Sequence, residues 1–371
     1  MRWIFWGAAA VVIYTYAGYP LWLWLRCRWR ARLVRKSSVW PSVSIVLAVH
    51  NEGAVLANKL RNVLALDYPT ERCEIVVASD GSTDLTNRVI EEHLSNRLRA
   101  SILPERVGKA AALNRAIQLA RGEIIVFTDA RQLIEPAAVK RLCANFADPS
   151  VGCVSGELML GTPGARESAE GSGLYWKFEK LIRRLEGASG SVVGATGALY
   201  AARRGLLPLL PAGTLLDDVY IPLHIARLGQ RVVFESQARA WDAVADSPRE
   251  FRRKVRTLTG NYQLLQLAPW LLSRKNPLRF EFVSHKLLRL LVPFALLAMF
   301  FSSLLIPGAF YRAAAALQIL FYASAFVAAL RPPLGTLARV AEASLAFVVL
   351  NTAAAVALVY FVSGKKGVWA R

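Results

Sequence analysis

Acidic side chains are scarce in this chain of 371 residues: 26 Asp and Glu stand against 46 Lys and Arg, a formal net charge of +20. Cysteine and histidine are scarcer, with four of each. Cys27, Cys73, Cys143 and Cys153 form no CxxC pair and no metal-ligand spacing, so they read as reduced packing residues. The scattered histidines argue against a histidine-rich metal site. Neither GxxxxGK[ST] nor GxGxxG occurs, which argues against a P-loop and a dinucleotide fold. Charged residues make up only 19% of the chain and hydrophobic ones 54%, a balance that excludes disorder. The basic surplus lies beside apolar runs rather than on a polar domain with interleaved aromatics, which excludes a nucleic-acid binder. The chain reads as a membrane protein with basic margins, long enough for about two to three structural units.

Residues 3–25 carry no charge and are rich in Trp and Tyr at both ends. As a helix they extend about 34 Å, enough for a hydrocarbon core of roughly 30 Å. Their length, their bulky aromatics and the lack of a small-residue cleavage site favour an anchor over a signal peptide. Arg26, Arg28, Arg30, Arg32, Arg35 and Lys36 follow at once and place the next segment in the cytoplasm. Between 290 and 362 the only charges are Arg312, Arg331, Arg339 and Glu342, which divide the stretch into apolar segments at about 290–311, 313–330 and 343–363. The expected organisation is an N-terminal anchor (1–25), a basic linker (26–40), a soluble domain (41–248), interfacial amphipathic helices (249–289) and a C-terminal membrane region of about three segments (290–371).

The soluble domain alternates strand-like and helix-like pieces. Residues 43–49, 75–79 and 124–128 are short apolar runs, and helical patterns cover 54–66, 83–94 and 109–120. That alternation implies an α/β fold with a mostly parallel central sheet. Each run ends in a polar cluster: His50-Asn51-Glu52, Asp80-Gly81-Ser82 and Asp129. In such sheets ligands bind beyond the carboxyl ends of the strands, so the three clusters point to one site. Asp129 is an isolated carboxylate suited to a hard divalent cation bridging phosphates. Lys109 opens a helix after Gly108, where it can neutralise phosphate charge. Asp217-Asp218 is an acidic pair whose neighbouring charges raise the pKa of one member, or else a pair favoured by a helix N-terminus. Arg249 to Arg256 reads both as an interfacial helix on anionic lipid and as a cationic arm for a departing diphosphate.

In order, VSIVLAVHNE (43–52), IVVASDGSTD (75–84), GKAAALN (108–114), IIVFTDAR (124–131), TGALYAARR (196–204), LLDDVYIPLHIARLGQRVVFE (215–235), FRRKVRTLTGNYQLL (251–265) and SHKLLR (284–289) resemble the membrane-bound bacterial family-2 glycosyltransferases. That group includes the cellulose, hyaluronan, chitin and poly-N-acetylglucosamine synthases. The resemblance implies a GT-A nucleotide-sugar domain, inverting transfer, Mg2+ or Mn2+, and a nucleotide-sugar donor such as a UDP-sugar. It further implies a lipid or glycan acceptor, and a location in the bacterial inner membrane with the catalytic domain cytoplasmic. His50, Asn51, Glu52 and Asp80 then correspond to nucleoside-binding positions, and Lys109 to a donor-contacting lysine. Asp129 corresponds to the first metal-binding Asp of DxD, and Asp218, with Asp217 beside it, to the base. Arg253 to Thr257 stands in place of (Q/R)xxRW, and carries Arg253 and Arg256 toward the diphosphate. Two positions depart from the pattern. Arg131 replaces the second Asp of DxD and can carry some of the charge, and Thr257 replaces the tryptophan associated with stacking on the acceptor. The second departure favours single transfer over a processive polysaccharide synthase. The first is what a catalytically decayed scaffold subunit would show.

Overall fold

The computed structural model describes residues 1–162, 174–243, 247–330 and 338–364. The chain begins with one long helix, α1 (Arg2–Arg30). Strand β1 (Val43–Val49) and helix α2 (Gly53–Leu64) open the soluble part, followed by β2 (Cys73–Asp80), α3 (Thr86–Glu92), β3 (Leu98–Leu103), α4 (Lys109–Leu119) and β4 (Ile124–Phe127). Next come β5 (Leu133–Ile134), α5 (Ala138–Ala144), β6 (Val151–Leu160), α6 (Leu174–Ser189), β7 (Tyr200–Arg203), α7 (Asp217–Arg227) and β8 (Arg231–Asp242). Helix α8 (Ser247–Leu267) leads to α9 (Arg279–Leu305), α10 (Ala309–Ala329) and α11 (Ala338–Val362).

The eight strands form one sheet in the order β3-β2-β1-β4-β7-β6-β8-β5. It is mixed: β3-β2-β1-β4 is parallel throughout, and β7 enters antiparallel to both β4 and β6. Ile45, Leu47 and Val49 pack with Leu56, Leu60 and Val63 on one side, while Val46, Val76 and Ile125 pack with Ala112 and Leu113 on the other. Burial on both faces is why these strands read as unbroken apolar runs. From β1 the chain proceeds outward to β2 and β3 on one side and returns to β4 on the other, so a crevice opens beyond the strand ends between β1 and β4.

Helix α3 is shorter than the expected 83–94. The Asp84 carboxylate accepts from the Thr86 amide at 2.9 Å, and the Thr83 amide donates to Asn51 Oδ1 at 2.8 Å, so both residues belong to the turn. In the membrane region Arg312 does not divide two helices; it lies inside α10. The break falls at Ile306-Pro307-Gly308, because the residue before a proline is driven to extended backbone and Ile306 adopts it.

Among the described residues, four helices are long and apolar enough to cross a membrane: α1, α9, α10 and residues Val340–Val362 of α11. Two contacts fix them to the soluble domain. Tyr19 and Leu23 of α1 pack on Ile182 of α6, and Ala353 and Ala357 of α11 pack on Val255 of α8. The small alanines let α8 approach closely.

Candidate active site

Asp129 lies just past β4, separated from its last residue by Thr128, and α4 opens with Lys109 at the same edge of the sheet. The Lys109 ammonium lies 3.1 Å from Asp129 Oδ1 and 3.2 Å from Asp217 Oδ1, so a single cation links the two carboxylates. Desolvation pulls its pKa down, but the carboxylates of Asp129, Asp217 and Asp218 outweigh that and hold it above the ordinary lysine value. Asp217 is buried and also faces the Tyr200 hydroxyl at 3.5 Å; that ring is stacked on Phe127 of β4. Asp218, one residue on, is half-buried, and among the described residues it makes no ion pair. Burial first, and the charge of Asp217 second, raise its pKa to about 6. One carboxylate of the pair is thus committed to Lys109, and the other is poised to accept a proton near neutral pH.

The remaining expected residues occupy distinct places. The buried Asp80 carboxylate accepts from the amides of Val107 at 2.7 Å and Gly108 at 3.0 Å, and so holds the loop that presents Lys109. Gly81 is required beside it: at φ +58° an added Cβ would sit 2.4 Å from the Arg106 nitrogen. His50 Nδ1 is 2.6 Å from the Asp80 carbonyl oxygen, and Asn51, with φ 53°, ties the ends of β1 and β2 together. The Glu52 amide donates to Thr86 Oγ1 at 2.9 Å. Arg131 is exposed at the mouth. The two arm arginines differ. Arg253 is held by Asp242 at 3.6 Å and Glu250 at 2.8 Å, while Arg256 has no ion pair among the described residues.

The carboxylates of Asp129, Asp217 and Asp218 all act on Lys109, and a cation would relieve their mutual repulsion. Among the described residues no group of three His, Cys, Asp or Glu side chains converges. A divalent ion therefore fits at Asp129 only with further oxygens supplied by a bound diphosphate.

Residues 44–204 match the family model described as glycosyl transferase family 2. The match runs from β1 to β7 and supports a glycosyltransferase domain. Poly-beta-1,6-N-acetyl-D-glucosamine synthases are similar to it: that of Staphylococcus aureus is 25% identical over 229 residues, 60% of this chain and 55% of the relative. That of Staphylococcus epidermidis is 24% identical over 234 residues, 62% and 56% respectively. The chain spans about half the length of the curated relatives it matches. Among solved structures, the mannosyltransferase PcManGT from Pyrobaculum calidifontis, in complex with GDP-Man and Mn2+, aligns with a TM-score of 0.73 at 24% identity. That alignment covers 96% of this chain and 98% of the other, membrane helices included, and shows that the fold is GT-A.

Within the glycosyltransferase domain, four contributors to the site escaped the sequence reading. Lys59 of α2 is buried, and its ammonium donates to Thr128 Oγ1 at 2.8 Å and the Gln132 carbonyl at 2.6 Å, clamping both sides of the Asp129 turn. Burial lowers its pKa to about 7. Its signal was present: Lys59 falls on the stripe Leu56, Leu60 and Val63, a lysine on an apolar helix face. Gln132 carries the link onward, donating to Asp242 Oδ2 at 2.9 Å, the carboxylate that also holds Arg253. Gln263 of α8 accepts from the Leu215 amide at 3.0 Å and so fixes the approach to Asp217. Gly260 lets α8 come that close, since a Cβ there would sit 2.5 Å from Leu216 Cγ. No sequence signal marks these last three.

Proposed function

We propose that the chain transfers a sugar, with inversion, from a nucleotide-sugar donor to a lipid-linked or polysaccharide acceptor. The reaction takes place at the cytoplasmic face of a bacterial inner membrane, in cell-surface polysaccharide or glycolipid synthesis. The observation that carries this reading is the Asp129–Lys109–Asp217 bridge with Asp218 beside it at the open edge of the sheet. His50, Asn51 and Glu52 border the nucleoside end of the crevice. Asp129 is the residue to hold Mg2+ or Mn2+ together with the donor diphosphate, where the ion would neutralise charge on the leaving group. Lys109 offers a second positive charge to that diphosphate, and Arg256 a third from α8. Arg131 supplies charge at the mouth.

Asp218 takes the proton of the acceptor hydroxyl as its oxygen bonds to the anomeric carbon. The bond from that carbon to the diphosphate breaks on the opposite face, and the nucleoside diphosphate leaves with the electron pair. Thr257 supports transfer of single sugars or short extension: it is exposed and its hydroxyl donates within its own helix to the Arg253 carbonyl at 3.0 Å.

The test is nucleotide release from a panel of UDP-, GDP- and dTDP-sugars by membranes carrying the protein, with and without Mn2+. Metal-dependent release with one donor supports the proposal. No release with any donor supports the alternative of a non-catalytic scaffold subunit.

A further inference from the structure

Asp242 ends β8, and one of its carboxylate oxygens serves two partners. Oδ2 accepts from Gln132 Nε2 at 2.9 Å and lies 3.6 Å from the Arg253 guanidinium of α8. Gln132 belongs to the turn that carries Asp129, three residues on. That turn is itself pinned. The Lys59 ammonium donates to Thr128 Oγ1 and to the Gln132 carbonyl, and Thr128 Oγ1 donates in turn to the Ala198 carbonyl at 2.8 Å. Lys59, Gln132 and Asp242 are only 1%, 3% and 6% exposed, so water competes little for these bonds. Leu133 pairs with Trp241 between β5 and β8, which keeps the neighbouring Gln132 and Asp242 in register.

Helix α8 is fastened at a second place. Arg256, Gly260 and Gln263 recur at spacings of four and three, so they share one face. Gln263 accepts from the Leu215 amide at 3.0 Å, and Gly260 lies against Leu216; these are the two residues before Asp217. Arg253, one turn before Arg256, is the residue that meets Asp242. The half-buried Arg256 therefore stands between two fastenings, and it has no ion pair of its own among the described residues. Its place is set by the helix that carries it.

We propose that Gln132 is a positioning residue for the transfer. By fastening Asp242 to the Asp129 turn it sets, through Arg253, where Arg256 meets the departing diphosphate. This rests on Asp129 and Arg256 serving one diphosphate, as the transfer reading has it. Groups that stabilise charge on one leaving group must keep a fixed separation, and a small misplacement is costly. Asp129 and Arg256 lie far apart in the chain and on different elements. A side-chain bond from the turn to Asp242 removes the play that such a separation would allow.

The test uses the full chain in detergent. Gln132→Met removes the amide donor at similar size and leaves the Lys59 contact, which runs to the backbone carbonyl. Asp242→Asn keeps an acceptor for Gln132 and removes the charge that holds Arg253. Hydrogen exchange at the amides of residues 247–259 should quicken about tenfold in both variants, the scale of one hydrogen bond to a charged group. In initial-rate assays with Mn2+ and whichever UDP-, GDP- or dTDP-sugar is turned over, both should lower kcat by about ten- to a hundredfold, with a much smaller change in KM for the donor. Arg256→Ala should mask that loss: Gln132→Met added to it lowers kcat no further, whereas a residue that only stabilises the fold would add its loss in full. Unchanged exchange in both variants overturns the proposal, as does an unchanged kcat, or losses that add in the double variant. Exchange is read without substrate, so quickened exchange in a chain that turns over no nucleotide sugar keeps Gln132 as the fastening of α8 and refutes the transfer reaction.

Discussion

Two charge clusters contrast in this molecule, one around Lys109 at the edge of the sheet and one around His285 between α6 and α9. In the first, the Lys109 ammonium bridges Asp129 and Asp217, with Asp218 beside them. In the second, Glu179 pairs with Arg289 and both Glu179 and Glu186 meet His285. Burying charge is tolerable only when it is paired. A metal ion with a diphosphate suits the first cluster, whereas in the second the carboxylates pair with side chains of α9. Burial and the charge of Asp217 raise the Asp218 carboxyl, and Lys109, then Lys286 and Arg183, act against them.

The comparison can be broken most forcefully at Glu186. Glu186→Gln leaves His285 and Tyr19 without their shared carboxylate, and removal of one partner from a buried ionic network costs roughly 3–5 kcal/mol. Thermal unfolding in detergent should show that loss. A change of under about 1 kcal/mol would mean that the cluster around His285 does not hold α6 to α9. Next in size is Asp218→Asn, which should lower transfer by about a hundredfold or more while nucleotide-sugar binding persists. Asp217→Asn should be milder, since that carboxylate is committed to Lys109, and the opposite order in initial-rate measurements would move the base to Asp217.

Acidity separates the clusters more finely. Asp218 must be ionised to accept a proton, so transfer should fall about tenfold per pH unit below its value of about 6. Stability should move the other way. The folded chain binds that proton more tightly than the unfolded one, so this residue's contribution to stability increases as pH falls from about 6 toward the ordinary Asp range. Burial would raise Glu179 and Glu186, but Arg289 for the first and His285 for the second hold them low, so they keep their stabilising charge above the ordinary glutamate range and lose it only as pH falls through their lowered values. A pH-rate profile flat from pH 5 to 8 would exclude Asp218 as the titrating base. The smallest effect expected is Tyr14→Phe, which removes the hydroxyl contact to Ser284 of α9 and should cost about 1 kcal/mol in thermal unfolding.

Much of the fold was legible because it follows from periodicity. Continuous apolar runs bounded by turns gave β1, β2 and β4, and long uncharged stretches gave the four spans. Where helices end was less legible. Arg312 looked like a divider, yet one arginine can remain in a helix, whereas Pro307 constrains the residue before it. The site was legible as a set of residue types at strand ends. Its pairing was not: Lys109 and Asp129 were separate expectations that the fold joins, and Arg253 and Arg256 looked equivalent until Asp242 engaged only one.

By itself the sequence determined which segments are apolar on one face, on two faces or all round, and in what order the chemical groups follow along the chain. Those properties are local, set by side-chain type and by the repeat of a strand or helix. Only the tertiary structure decided which charges neutralise one another. Glu186 and His285 are 99 residues apart, and Lys59 and Thr128 are 69 apart, separations over which no local periodicity carries information. Asp217 became a structural partner of Lys109, while Asp218 beside it has no ion pair among the described residues, because an ion pair depends on distance in space and on the water excluded around it.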